Sequence, residues 1–392
     1  MKVPPLSVYV HFPWCVRKCP YCDFNSYTLQ GELPEAQYVD ALLRDIAAQA
    51  PAVSGREVIS VFLGGGTPSL ISPEGIARVL QGIGAQLPLA ADAEVTLEAN
   101  PGAIEHGRFT EYRSAGVNRV SLGAQSFHAA RLATLGRIHS PDDTRRAAAQ
   151  LHDAGLHNFN LDLMYALPGQ SESEAIADVE AALTLEPAHL SHYQLTLEPG
   201  TVFAAQPPGL PDDDAAAGML TACAERLSAA DFLQYEISAY ARAGHQSRHN
   251  LNYWMFGDYL GIGAGAHGKR TTPDLRRVLR TTQPREPRRY MANPMAPTVH
   301  EVAREELPFE FMLNALRLPA GFAMELFEDR TGIAWSEIAA PRAELHRRGL
   351  LHEEADWVRP SGLGLRFLNN SLLHFLAEKA ETAGKYGMST LP

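Results

Sequence analysis

Cysteine is scarce in this chain of 392 residues: there are four, too few for a disulfide framework. No apolar run approaches the ~18 residues that a membrane span needs. The start, Met1 to Phe12, has one Lys and a short strand-like apolar stretch where a leader would carry a basic region and a longer apolar core, so a cytoplasmic protein is expected. Basic charge is in deficit as well. Thirty-four Lys and Arg stand against 45 Asp and Glu, a net charge of −11 that repels a phosphate backbone, and nucleic acid is not an expected partner. The spacings of a P-loop and of G-x-G-x-x-G are missing, which disfavours nucleotide phosphate. A second C-x2-C pair is missing too, which disfavours a structural zinc site. There are no internal repeats, and no low-complexity segment beyond a polar tail after Ala380.

What the chain does have is enough apolar residue, 45% against 20% charged, for packed cores, and a length beyond what one core normally supports. Strand-like runs at Ser7–Phe12, Val58–Leu63, Glu94–Ala99, Arg119–Ala124, Asn158–Met164 and His189–Leu197 alternate with helical patterns at Pro34–Ala50, Pro73–Leu87, Asp142–Ala154 and Glu172–Leu185. Ser72-Pro73-Glu74 supplies an N-cap, a proline at the first helical position and an acid in the first turn. Six β-then-α units predict an α/β fold with a parallel sheet, either a barrel, full or partial, or an open doubly wound sheet, and place the functional loops after the strands. The stretch Lys269–Arg289 has eight basic residues against two acidic ones and no clear period, so it reads as a connection. Beyond it, helical patterns at Val302–Leu318 and Ser336–Leu350, a hairpin pattern within Leu351–Leu368 and a last helix near Leu372–Leu376 predict a small winged-helix-like domain, acidic from Glu301 onward and suited to packing or covering rather than to DNA. The expected division is 1–268, 269–300 and 301–392.

Three of the four cysteines fall within eight positions, Cys15, Cys19 and Cys22, in a C-x3-C-x2-C loop that follows the first strand. Three thiolates can hold a [4Fe-4S] cluster with one iron left open for a ligand. Cys223 shares an apolar helical stripe with Met219, Leu220 and Leu227 and reads as core. Gly64-Gly65-Gly66-Thr67 closes the second strand, where glycines allow close backbone approach to a ligand. Polar residues recur at later strand ends: Glu98, Gln125 and Asp162, with Arg137 downstream. Each alone reads as structural; their repetition at one end of the sheet is the functional signal.

The cysteine loop resembles that of the radical S-adenosylmethionine superfamily. The resemblance implies a partial (β/α)6 barrel, and an open iron chelated by the amino and carboxylate groups of S-adenosylmethionine. One-electron cleavage to a 5'-deoxyadenosyl radical is that superfamily's chemistry. Over nearly the whole chain the sequence is similar to the coproporphyrinogen III dehydrogenase-like branch. There, residues matching Tyr9, Gly65, Gly66, Thr67, Glu98, Gln125, Arg137 and Asp162 bind S-adenosylmethionine, with the match to Tyr21 beside it. The dehydrogenases proper carry a fourth cysteine two residues after the third, where this chain has Phe24, and a longer N-terminal segment. His249-Asn250-Leu251-Asn252-Tyr253-Trp254 instead matches the H-N-x-x-Y-W motif of the heme chaperone family HemW. That resemblance implies heme binding with His249 as a ligand, His267 being undecided, and the basic segment reads as a solvated linker before a propionate holder. It also implies delivery of heme to recipients such as respiratory enzymes, with any contact to membrane proteins transient. A radical oxidative decarboxylase of coproporphyrinogen III is the alternative. Whether S-adenosylmethionine is cleaved stays open at this level.

Overall fold

In a computed structural model of the chain, residues 1–102 and 108–376 are described; the polar tail after Ala380 lies outside them. Six strands follow the predicted runs: β1 (Leu6–Phe12), β2 (Val58–Gly65), β3 (Leu89–Ala99), β4 (Arg119–Gln125), β5 (Phe159–Tyr165) and β6 (His189–Gln194). Each pairs in parallel with the next. Four longer helices pack between them, α1 (Glu35–Gln49), α2 (Pro73–Gln86), α3 (Pro141–Asp153) and α4 (Glu172–Leu183). Helix α2 starts as its sequence predicts. Ser72 Oγ accepts from the Gly75 amide at 3.0 Å, and Pro73 occupies the first turn, where no N–H is missed.

The strands alternate more sharply than their apolar content suggested. Register places Val10, Leu63, Leu97, Leu122 and Leu163 toward the helices, all of them in the main core. The intervening residues turn to an inner face of polar groups: Tyr9, Glu98, Ser121, Asn160, Asp162 and Ser191. An inner face of this kind suits a partial barrel that holds a polar ligand, because packed apolar layers would fill the space instead.

The segment 269–289 departs from expectation. Strands β7 (Leu233–Glu236) and β8 (Ala239–Ala241) extend the sheet beyond β6, and a seventh parallel strand, β9 (Asp258–Ile262), lies on the other side of β1. Past β9 come three antiparallel strands, β10 (His267–Thr271), β11 (Val278–Thr282) and β12 (Thr298–Glu301), so the supposed connection supplies the pair β10–β11. The order is β12-β11-β10-β9-β1-β2-β3-β4-β5-β6-β8-β7. Two of the charges that masked the strand period are paired within the fold. Lys269 Nζ is 3.0 Å from Asp258, which also meets Arg56 at 2.8 Å, and Arg280 pairs with Glu310.

A second apolar core gathers Val278, Val302, Phe311, Phe327, Leu345 and Val358. It is built by α8 (Leu307–Ala315), α9 (Met324–Thr331), α10 (Ala339–Arg347) and a small sheet of β13 (Phe322–Ala323), β14 (Leu351–Glu354) and β15 (Trp357–Pro360). This is the winged-helix-like arrangement anticipated, with α9 added. Helices α5 (Asp213–Ser228) and α7 (Pro287–Ala292) pack into the main core against α4 and α1, and α6 (Arg248–Trp254) contacts β1 and β2 on one side and α8 on the other. Cys223 is buried on α5 in the main core.

Candidate functional site

Strand β1 ends where the cysteine loop begins. The loop is bracketed by a short parallel pairing of Trp14–Cys15 with Tyr27–Thr28, and the Cys22 amide donates to Cys19 O at 3.2 Å. Lys18 Nζ closes the loop on the Phe24 and Ser26 carbonyls at 3.0 and 3.1 Å. All three thiols are free, half-buried and turned to one cavity of about 430 Å³. Burial raises the Cys15 and Cys22 thiols above their usual range. Among the described residues no three His, Cys, Asp or Glu side chains converge on a single ion. Three thiols on one C-x3-C-x2-C loop suit a polynuclear cluster, in which each cysteine takes a different iron.

The glycines after β2 serve the loop first. Gly65 has φ +114°, and a Cβ on it would meet the His11 ring at 2.6 Å; one on Gly66 would meet the Trp14 carbonyl oxygen at 2.5 Å. The Gly66 and Thr67 amides donate to Phe12 O and Trp14 O, both at 2.7 Å, so the motif clamps the start of the cysteine loop while its other side lines the cavity. Gly65 N donates to Glu98 Oε2 at 2.9 Å.

Glu98, Gln125, Arg137, Asp162, Tyr21, Gly65, Gly66 and Thr67 all line that cavity. Burial, aided by the neighbouring Asp162 carboxylate, pushes Glu98 up to about 8. Burial raises Asp162 too, although Asn160 Nδ2 donates to it at 2.7 Å and Ser121 Oγ at 3.3 Å. Arg137 donates to Asn100 Oδ1 at 2.5 Å and Gly123 O at 2.7 Å, lies 3.9 Å from Cys19 Sγ, and keeps a buried Nε without a partner. Gln125 has φ +66°, at a register break between β4 and β5, a conformation that costs an L-residue on the order of 1–2 kcal/mol and here aims the amide at the cavity. Glu98, Asp162, Arg137 and the three thiols thus face one space with no ion pair among them. The donor set fits a cluster with a zwitterionic, hydroxyl-bearing ligand: the guanidinium for a carboxylate, the carboxylates for an ammonium or ribose hydroxyls.

Sequence reasoning did not single out two lining residues. Asn100 links Arg137 to Thr67 Oγ1 at 3.0 Å, and Tyr193 donates to Gln125 Oε1 at 2.8 Å. Both sit at strand ends, which was the available signal. Tyr9 lies one layer below the cavity lining, its hydroxyl donating to His11 Nδ1 at 2.9 Å.

His249 is placed apart from the others. Helix α6 plugs the inner face, its first turn capped by the Glu94 carboxylate through the Arg248 and His249 amides at 3.1 Å. The imidazole is 1% exposed, stacked on Phe62 at 4.9 Å, with Nδ1 bonded to Ser60 Oγ at 3.1 Å and Nε2 to the Tyr253 hydroxyl at 2.9 Å. Burial, with Arg119 nearby, lowers it to about 3. Ligation of heme by His249 therefore requires the ring to give up Ser60 or Tyr253 and α6 to lift from the sheet. His267 is exposed at the start of β10.

Known proteins bear on this arrangement in three ways. Residues 9–182 match the radical SAM superfamily and residues 302–367 the HemN C-terminal domain. The heme chaperone HemW of Escherichia coli is 50% identical over 96% of this chain and all of its own length, and that of Haemophilus influenzae 44% over 96% and 100%. The mitochondrial radical S-adenosyl methionine domain-containing protein 1 of Mus musculus is 37% identical over 96% of this chain and 88% of its own. The solved structure of the radical SAM enzyme coproporphyrinogen III oxidase HemN from Escherichia coli superposes with a TM-score of 0.80 at 22% identity, covering 95% of this chain and 90% of that one, a likeness of fold. Identity that runs end to end, through the cysteine loop and the C-terminal helices alike, makes the chain a member of the HemW family within the radical SAM superfamily.

Proposed function

We propose that the protein is a heme chaperone: it binds heme and delivers it to heme-dependent proteins such as respiratory enzymes, working in the cytoplasm with a [4Fe-4S] cluster and S-adenosylmethionine. The observation that carries this reading is the 50% identity, over 96% of the chain, to a relative named for that role. A second supports it. Phe24, more than half exposed, stands where the dehydrogenase pattern has its fourth cysteine. No helix among the described residues is long and apolar enough to cross a membrane.

In this reading Cys15, Cys19 and Cys22 hold the cluster, which when bound supplies an open iron and one-electron chemistry. The chain's own residues do the rest. Arg137, positioned by Asn100 and Gly123 O, holds a carboxylate of the ligand. Glu98 and Asp162 take its cationic and hydroxyl groups, and Glu98 loses a proton as it does so, because a cation beside it removes the penalty that holds the proton. Gln125 and Tyr193 close the polar wall. Anaerobic reconstitution followed by parallel assays tests the function. Stoichiometric heme binding without conversion of coproporphyrinogen III is expected; robust decarboxylation without heme binding would replace the chaperone reading with the oxidase.

A further inference from the structure

Resting on the heme-chaperone reading, the question is where on this chain a porphyrin can reach an imidazole. His249 offers no free ring nitrogen as folded. The inner face, however, continues past β1. Tyr9 is in register with Gly261, Tyr259 with Lys269, His267 with Thr282, and Thr282 with Thr298. Two-residue alternation therefore puts His267, Thr282, Arg280 and His300 on the same face as Tyr9 and Glu98, and His267 is at the end of the sheet where β1–β6 finish. Strand β10 is two strands from β1, about 10 Å at the usual strand spacing. The cysteine loop reaches this place. Asn25 Nδ2 donates to Ala264 O and to Arg285 O, both at 2.9 Å, and Tyr27 OH to Arg285 O at 3.3 Å.

Here the chemistry differs from that around His249. His267 is exposed, and its ring has one hydrogen-bond partner among the described residues, Thr282 Oγ1, 3.3 Å from Nδ1. A proton on Nδ1 donated to that hydroxyl leaves the Nε2 lone pair facing outward, the way second-shell groups orient metal-binding imidazoles. Partial burial, then Arg280, Arg285 and His300, lowers the ring's proton affinity and keeps the lone pair available. Arg285 is exposed, and among the described residues only its Nε is engaged, 3.4 Å from Asn25 Oδ1, which leaves its terminal nitrogens for a carboxylate. Tyr27, whose hydroxyl meets Arg285 O, leaves its ring 37% exposed. An imidazole lone pair, a guanidinium and an exposed aromatic ring answer the three parts of an iron porphyrin: metal, propionates and macrocycle.

We infer that heme binds on the β10–β11 face with His267 Nε2 as axial ligand and Arg285 on a propionate, beside the cysteine loop. The bond forms by lone-pair donation to iron and releases no proton.

The test is titration of the full chain, cluster reconstituted, with hemin. Wild type should give one equivalent with a histidine-ligated Soret and electron paramagnetic resonance signature. His267→Ala should lose that signature and at least about tenfold in affinity, with cluster content and melting temperature unchanged, and added imidazole should restore the signature in His267→Gly. Arg285→Ala should weaken hemin several-fold yet leave the binding of hemin dimethyl ester, which lacks the carboxylates, as in wild type. Folded His249→Gln should keep the signature. Unchanged affinity and spectrum in His267→Ala, or loss of the signature in a His249→Gln protein that melts like wild type, overturns the assignment while the chaperone reading stands. Wild type that binds no hemin overturns both.

Discussion

The two flanks of β1 use buried charge in opposite ways. Toward β2–β5, Glu98 and Asp162 face a cavity without a cation in contact, and both carboxyls are held above their usual range by burial. Toward β9–β11, Asp258 is fully buried, yet Lys269, the Thr271 amide and Arg56 outweigh burial and hold its carboxyl below the usual range. Paired buried charge fixes architecture, whereas buried charge left without its counterion marks where a ligand completes the balance.

That contrast can be broken from either side. The largest effect is expected at Asp258→Ala, which strands two cations in the interior and should cost about 3–5 kcal/mol in urea unfolding. A loss below about 1 kcal/mol would remove the distinction. His249→Ala removes the partner of the buried Tyr253 hydroxyl, leaves Ser60 with Ser7 alone and opens space under Phe62, so roughly 2–4 kcal/mol should be lost as stability, whatever happens to heme. On the cavity side the cost should appear in binding. Arg137→Ala or Asp162→Asn should weaken S-adenosylmethionine by about one to two decades, from roughly 1.5–3 kcal/mol of charge-assisted contact, with the cluster still assembled. Calorimetric affinities equal to wild type in both would count against the pocket.

Glu98 gives the contrast a pH dependence. Its folded value, about 8, lies above the ordinary carboxylate value, so the ligand-free protein holds a proton that the unfolded chain has lost. Stability contributed by that proton is present in acid and declines as pH rises from about 4.5 to about 8. Glu98→Gln should flatten this decline, and wild type at pH 7 should release a proton on binding S-adenosylmethionine, read as a buffer-dependent calorimetric heat. A buffer-independent heat would show that Glu98 is not the group the ligand neutralises. The smallest effect is expected at the exposed pair Arg145–Asp142, where alanine should change stability by no more than about 0.5 kcal/mol.

Much of this was legible in the sequence, for physical reasons. Strand and helix periods gave the six parallel units, and the cysteine loop and strand-end polar residues stand in the expected place because βα loops gather at one end of a parallel sheet. The β10–β11 pair was hidden because strand alternation shows as apolar against polar, and here Lys269 and Arg280 occupy inward positions whose acidic partners, Asp258 and Glu310, lie 11 and 30 residues away. The surroundings of His249 were hidden likewise: its partner Ser60 lies 189 residues away. Asn100 and Tyr193 were missed because one polar residue at a strand end carries no mark of its role until its neighbours are known.

Asn25 has a consequence beyond geometry. Three residues after Cys22, its side chain joins the cysteine loop to both ends of the segment around His267, through Ala264 O and Arg285 O. Under the inference above, whatever orders that loop meets part of the entropy otherwise charged to heme on the neighbouring strands, and by reciprocity heme there would hold the loop by the same free energy. The proposed site would then have two inputs: heme should bind more tightly with the proposed cluster in place than after its loss.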